Sequence, residues 1–233
     1  MNFKDRQVVV TGGTGALGIA VVGALLEAGA TCHIPYRSED EAKRFPHREH
    51  KAVSLVALGD LADEAAVDGF YGGLSNLWAS IHIAGGFAFA PIGDSNKALL
   101  MGQIETNLVS AYLCCRAAVA AFRRAGSGGR IVNVAARHAL EPRQGANTTA
   151  YVAAKAGVAG LTQALAEEVV KDGILVNAVA PSIMDTPANR KSMPKADYAA
   201  WPKVEEVAAT IVFLASPENA VTRGGVVPVY GKF

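Results

Sequence analysis

Short apolar runs alternate with stretches of helical periodicity along the whole chain. "QVVVT" (7–11) is a β-branched run with strand character. "GALGIAVVGALLEAGA" follows, with apolar spacing that predicts a helix ending at Gly29. "TCHIPY" (31–36), "AVSLVAL" (52–58) and "WASIHIA" (78–84) read as three further strands. A long helical stretch runs from about Ala98 to Ala125, and "GRIVNVAA" (129–136) is a fifth strand. A helix is expected from about Ala150 to Asp172, then a sixth strand in "ILVNAVAP" (174–181). "EEVAATIVFLAS" (205–216) is a last helix, and "GGVVPVY" (224–230) a seventh strand. Strands this uniformly apolar are buried on both faces, which implies a parallel sheet between helix layers. The pattern predicts a single α/β domain over 1–233, a doubly wound sheet of about seven parallel strands.

Composition fits that picture. The chain has 233 residues, 51% of them apolar, with mean hydropathy +0.22. That length supports one large domain. No run approaches the roughly 18 unbroken apolar residues of a membrane span. The start, "MNFKDRQVVVTGG", lacks the apolar core and cleavage site of a secretory signal. Cys32, Cys114 and Cys115 are too few and too badly spaced for a disulfide framework or a metal site, so they read as buried thiols in a reducing cytoplasm. Net charge is +1, with basic residues scattered, so neither a nucleic-acid partner nor a membrane surface is expected. The two longest irregular stretches are 85–97 and 182–203. In a doubly wound sheet, ligands sit beyond the carboxyl ends of the strands. Segment 182–203 follows the sixth strand there and is the candidate substrate lid, since Met184, Met193, Tyr198 and Trp201 are costly to leave in water.

Two short motifs carry chemistry. "TGGTGALG" (11–18) leaves the first strand and opens the first helix, with Gly13, Gly15 and Gly18 in the spacing G-x-G-x-x-G. Glycine permits positive φ and close approach of backbone to ligand. A helix N-terminus offers free N–H groups and positive dipole charge to a pyrophosphate. The strand–turn–helix context favours a dinucleotide site over a merely structural turn. "TAYVAAKAG" (149–157) sets Tyr151 one helical turn before Lys155, on the same face. A phenol beside an ammonium is a candidate proton-delivery pair; the plain alternative is a core tyrosine beside a solvated lysine.

Taken together, these segments resemble the short-chain dehydrogenase/reductase family over nearly the whole chain, and so a Rossmann-like fold. Thr11, Gly12 and Gly18 match its T-G-x-x-x-G-x-G turn, with Ala16 for the middle glycine and Gly15 beside it. Asp60 in "LGDLAD" sits where the family binds the adenine ring. "IHIAGG" (81–86) resembles its N-N-A-G segment, with His82 and Ile83 replacing the asparagines. Asn107 matches an active-site asparagine, Tyr151 and Lys155 its Y-x-x-x-K, and "VNAVAPSIMDT" its P-G-x-I/V-x-T, with Ser182 for the glycine and Thr186 retained. The resemblance implies an NAD(P)(H)-dependent oxidoreductase acting on a small molecule and assembling as a homodimer or homotetramer. It implies catalytic roles for Tyr151, Lys155 and Asn107. The cofactor-binding set it implies is Gly12, Thr14, Leu17, Gly18, Asp60, Leu61, Ala84, Gly85, Tyr151, Lys155, Pro181, Met184 and Thr186.

At the end of the second strand, an Asp or Glu selects NAD through the ribose hydroxyls. Here the position holds Tyr36 and Arg37, and no carboxylate appears before Glu39. An arginine pairs with a 2′-phosphate, so NADP(H) is expected over NAD(H). Lys155 and an oxidised nicotinamide are expected to lower the Tyr151 pKa from its ordinary value near 10. By the resemblance, Lys155 also bonds the nicotinamide ribose and Asn107 holds a water linking Lys155 to solvent. One part is missing. The family places a serine after strand five to hold the substrate carbonyl; Ala135 and Ala136 stand there, and His138 lies thirteen residues before Tyr151. His138, Thr148 or Thr149 are the possible substitutes, with His138 equally readable as a surface loop residue. "MDTPANRKSMPKADYAAW" (184–201) resembles the same segment of dihydropteridine reductases, which lack that serine too. The readings are therefore a reductase of a carbonyl- or imine-like compound, a dihydropteridine reductase proper, or a non-catalytic cofactor sensor on the same scaffold.

Overall fold

The computed structural model describes residues 1–232. Its core is one seven-stranded sheet in the order β3-β2-β1-β4-β5-β6-β7, parallel throughout. In chain order the elements are β1 (Gln7–Thr11), α1 (Ala16–Glu27), β2 (Thr31–Tyr36), α2 (Glu39–Arg44), β3 (Val53–Ala57), α3 (Glu64–Gly72) and β4 (Leu77–His82). Then come α4 (Lys97–Ile104), α5 (Ser110–Ala125), β5 (Gly129–Val134), α6 (Arg137–Leu140), α7 (Thr149–Glu168), β6 (Ile174–Pro181), α8 (Pro187–Ser192), α9 (Val204–Ala215) and β7 (Val226–Val229). The strand order reverses between β1 and β4, and that switch point is where such sheets open a ligand crevice.

Both sheet faces are covered, as the apolar strands require. On one side α1 and α9 pack Val21, Leu25, Val207 and Ile211 against Val8, Val10, Ile34 and Ile81. On the other, α3 and α5 bring Phe70, Tyr71, Cys114 and Phe122 against Val9, Ile131 and Val176. The three cysteines are buried and unlinked. Gly29 lets α1 stop: at φ +91° the chain turns so that Ala30 N–H reaches the Leu25 carbonyl at 2.9 Å.

The expected elements are present, with four refinements. α2 and α3 were not evident in the apolar pattern. The long stretch 98–125 is two helices joined by a π-helical turn at Glu105–Val109. Strand five ends at Val134, and α6 begins at once after Ala136. The Tyr–Lys helix stops at Glu168, continuing as a 3-10 turn at Val170–Asp172. No helix of the described residues is long and apolar enough to cross a membrane.

Candidate functional site

The carboxyl ends of β1, β4, β5 and β6 deliver the predicted site residues to one edge of the sheet. The glycine turn is shaped by contact as well as by dihedral. Gly12 has φ +67°, and a Cβ there would lie 2.7 Å from Ala84 N and 2.9 Å from Ala84 Cα. A Cβ on Gly18 would strike the Gly12 carbonyl, and one on Gly13 would meet Ile34 at 2.8 Å. Gly15 stands at the N-cap of α1 and supplies no side-chain cap, so the first N–H groups of the helix stay available. This cradle fits a dinucleotide pyrophosphate, with Thr14 half-buried beside it. Leu17 is buried in the core, so any part it takes toward a phosphate belongs to its backbone.

The adenosine end is more open. Tyr36 donates to Glu39 Oε1 at 2.8 Å, and Arg37 lies 3.8 Å from Glu41 with a 78% exposed side chain. Ser38 caps α2 by accepting from Glu41 N–H. An exposed guanidinium, paired with Glu41, thus stands just past the end of β2, while Glu39 is held by Tyr36. Asp60 lies beyond β3, exposed, accepting from Ala62 N–H at 2.9 Å with Leu61 half-buried next to it.

Tyr151 and Lys155 stand in the first two turns of α7. Lys155 is 5% exposed and donates through Nζ to the Val134 carbonyl at 2.7 Å. Burial pulls its pKa from 10.5 down to about 8. Tyr151 is also enclosed, and burial pushes its phenol up to about 12. This corrects the expectation of a lowered tyrosine pKa. Desolvation outweighs the helix neighbour, whose Nζ proton is turned to Val134. The phenol therefore holds its proton through the neutral range.

Asn107 sits in the π-helical turn, 1% exposed. Its Nδ2 donates to Gly86 O and Gln103 O, both at 3.0 Å, and its Oδ1 accepts from Gly86 N–H at 3.1 Å. It clamps the loop after β4 at two points. A Cβ on Gly85 would meet Asn107 Oδ1 at 2.7 Å and Lys155 Nζ at 3.3 Å, so both polar ends converge on that glycine. Ala84 N–H reaches Thr11 Oγ1 at 3.4 Å, tying the β4 loop to the glycine turn.

Segment 182–203 folds back on itself. Pro181 ends β6, buried; Thr186 Oγ1 caps α8 through Asn189 N–H at 3.2 Å, and Asn189 Nδ2 donates to the carbonyl of half-buried Met184. Arg190 grips Asp185 with two hydrogen bonds, at 2.6 and 2.8 Å, and Tyr198 packs against Trp201 at 5.0 Å with the ring planes tilted by 56°. Behind it lies a cavity of about 720 Å³ lined by Asp185, Arg190, Tyr198, Trp201 and Lys203, to which neither Tyr151 nor the glycine turn contributes.

Two rings that the motifs did not single out together meet Tyr151. Phe87 lies 5.1 Å away and His138 6.3 Å away, both T-shaped. Reading His138 as a surface loop residue is corrected: α6 starts immediately after β5 and carries it, half-buried, to Tyr151. Its offset of thirteen residues was the available signal. Phe87 gave none.

Comparison with known proteins agrees with this geometry. A family model described as short chain dehydrogenase matches residues 6–197. The chain is 34% identical over 249 residues to a cis-4-hydroxycyclohexanecarboxylate dehydrogenase of Sinomonas cyclohexanicum, covering 99% of this chain and 97% of the relative. It is 32% identical to a galactitol 2-dehydrogenase of Rhizobium johnstonii, with 99% and 96% covered. A solved structure described as ElxO with NADP bound superposes at TM-score 0.87, with 25% identity and 97% of each chain covered.

Proposed function

The chain belongs to the short-chain dehydrogenase/reductase family and is an NAD(P)-dependent oxidoreductase; from that premise we propose that it is an NADP(H)-preferring reductase of a carbonyl- or imine-like small molecule, with Tyr151 as proton donor. The observation that carries the reading is the meeting of the glycine cradle at Gly12 with half-buried Tyr151 and buried Lys155 at one sheet edge. A bound reduced nicotinamide supplies the hydride. The protein does the rest. The uncapped end of α1 holds the pyrophosphate, and Asp60, Leu61, Ala84, Gly85, Pro181, Met184 and Thr186 line the remaining length. Lys155 binds the nicotinamide ribose. The phenol of Tyr151, protonated at neutral pH, gives its proton to the substrate oxygen or nitrogen as hydride reaches the neighbouring carbon. Asn107 fixes the loop that carries Gly85 and completes a water path to Lys155.

Arg37 supports the preference for NADP(H), as does the NADP named in the ElxO structure. Phe87 and Phe89, 62% and 65% exposed, give the mouth an apolar wall and favour a substrate with an apolar body. The first relative's name points to a ring alcohol, in line with such a wall. Exposed Leu100, Met101 and Tyr112 on α4 and α5 support assembly with a second copy, which sedimentation at micromolar concentration tests; a monomer would reject it.

The test is a steady-state comparison of NADPH and NADH with cyclic ketones, aldehydes, a quinone and quinonoid dihydropterin as acceptors. NADPH should be preferred, and Arg37→Ala should erase much of the preference. Wild-type preference for NADH would remove the 2′-phosphate assignment. Exclusive use of the dihydropterin would favour the reading that segment 184–201 first suggested.

A further inference from the structure

The serine that this family uses beside the tyrosine has no counterpart at Ala135 or Ala136, which are 2% and 4% exposed and carry only methyl groups. Three side chains were available to replace it, and the structure separates them. Thr148 is buried and donates its hydroxyl to the Gly145 carbonyl at 2.9 Å. Thr149 is exposed and precedes Tyr151 by two residues, about 200° round the helix, so it points away. His138 remains. Its ring stands edge-to-face with Tyr151 at 6.3 Å, half-buried, on a helix that leaves β5 three residues after Val134, the carbonyl partner of Lys155. Phe87, the other ring on Tyr151, has no hydrogen-bonding atom.

We propose that His138 hydrogen-bonds the reacting oxygen or nitrogen of the substrate, taking the place of the missing serine hydroxyl beside Tyr151. The assignment rests on the reductase reading above. The groups around the imidazole are Arg137 on α6, Glu141 at its C-cap, the Gln144 backbone in the turn after it, and Tyr151 on α7. Burial and Arg137 together keep the ring neutral at pH 7, outweighing Glu141 and the Gln144 backbone. A neutral imidazole has one donor and one acceptor, as a hydroxyl does. Below its pKa both nitrogens donate, which strengthens the hold on a carbonyl oxygen. This ring differs from a serine in that respect: carbonyl reduction should gain an acid limb.

The test uses NADPH with two probes, acetophenone as an unactivated ketone and 9,10-phenanthrenequinone as an electrophilic one. His138→Ala should lower kcat/KM for acetophenone about 100-fold. The quinone should change much less, because it needs less polarisation. His138→Asn, which keeps a donor, should recover part of the acetophenone rate but lose the rise toward acid pH. NADPH affinity should stay within about 2-fold in both variants. Unchanged acetophenone kinetics in His138→Ala, with Tyr151→Phe inactive, would overturn the His138 assignment alone. Equal loss on both probes together with weakened NADPH binding would show a merely structural histidine. If neither His138→Ala nor Tyr151→Phe has an effect, the proton-donor role of Tyr151 falls and this assignment with it; a wild type that binds NADPH but reduces neither probe overturns the reading of a carbonyl reductase on which the assignment rests.

Discussion

Burial of Lys155 under Val134 sets the chemistry of the site against the stability of the fold. Its pKa falls from 10.5 to about 8, so at neutral pH folding forces a charge into poorly solvated space. The sign follows: the native state prefers the neutral amine, and stability drops as pH falls from 10.5 to 8 and is level below that. The cost at pH 7 is about 3 kcal/mol, offset by about 1 kcal/mol from the bond to Val134. Lys155→Met should therefore raise the unfolding free energy by about 2 kcal/mol in urea titration while abolishing turnover. A destabilised variant would mean that the Val134 bond dominates. The pair Tyr151–Lys155 was legible in the sequence, because proton delivery needs those two residue types one turn apart. The tyrosine pKa was not. Whether burial or a neighbouring cation dominates depends on surroundings assembled from β5, α6 and the loop after β4, which one helix cannot reveal.

At the scale of elements, α1 and its turn form the part most completely written in the sequence. Only glycine tolerates φ +67° at position 12 together with the Ala84 backbone against its α-carbon. Gly12→Ala must move the β4 loop away from the turn. It should cost roughly 1–3 kcal/mol and weaken NADPH binding by at least about 100-fold in a fluorescence titration. Binding near wild-type strength would show that the turn is not the pyrophosphate cradle. Other elements were less visible. α2, "EDEAKR", buries only Ala42, so it has no apolar stripe to detect. α3 rests on Val67, Phe70 and Tyr71 between polar neighbours and glycines. α6 is four residues long, below the length at which periodicity speaks, and His138 was misplaced for that reason. The π-helical turn is invisible to a 3.6-residue pattern, yet it aims Asn107 at Gly86.

Across the whole molecule, a buried polar chain joins the helix layer to the centre of the sheet. Tyr71 and Ser80 are 2.7 Å apart, Ser80 and His82 Nε2 2.8 Å, and His82 Nδ1 and Asn133 Oδ1 2.8 Å; Asn133 Nδ2 donates to Thr162 at 3.0 Å. Asn133 Oδ1 can only accept, so Nδ1 of His82 carries the proton and Nε2 accepts from Ser80. His82 stands where the family has asparagine, and the sequence showed the replacement without its reason. Burial lowers the His82 pKa from 6.5 to about 4. The native state thus resists protonation that the unfolded chain accepts. The stability it confers is complete above pH 6.5 and is lost as pH falls toward 4, amounting to about 3 kcal/mol. His82→Asn should flatten this acid limb in urea unfolding measured from pH 7 to 4. An identical slope in both proteins would remove His82 as its source. The seven parallel strands and the helix layers on both faces followed from the apolar pattern, whereas the strand order and this polar chain, which links residues 71 and 162, did not.

The most direct test of the account is NADPH oxidation by wild type and Tyr151→Phe with one shared acceptor, with NADPH affinity measured alongside. Loss of the phenolic proton should lower kcat by about 100-fold or more and leave NADPH binding within about 2-fold. Unaltered turnover in Tyr151→Phe would contradict the assignment of Tyr151 as the proton donor.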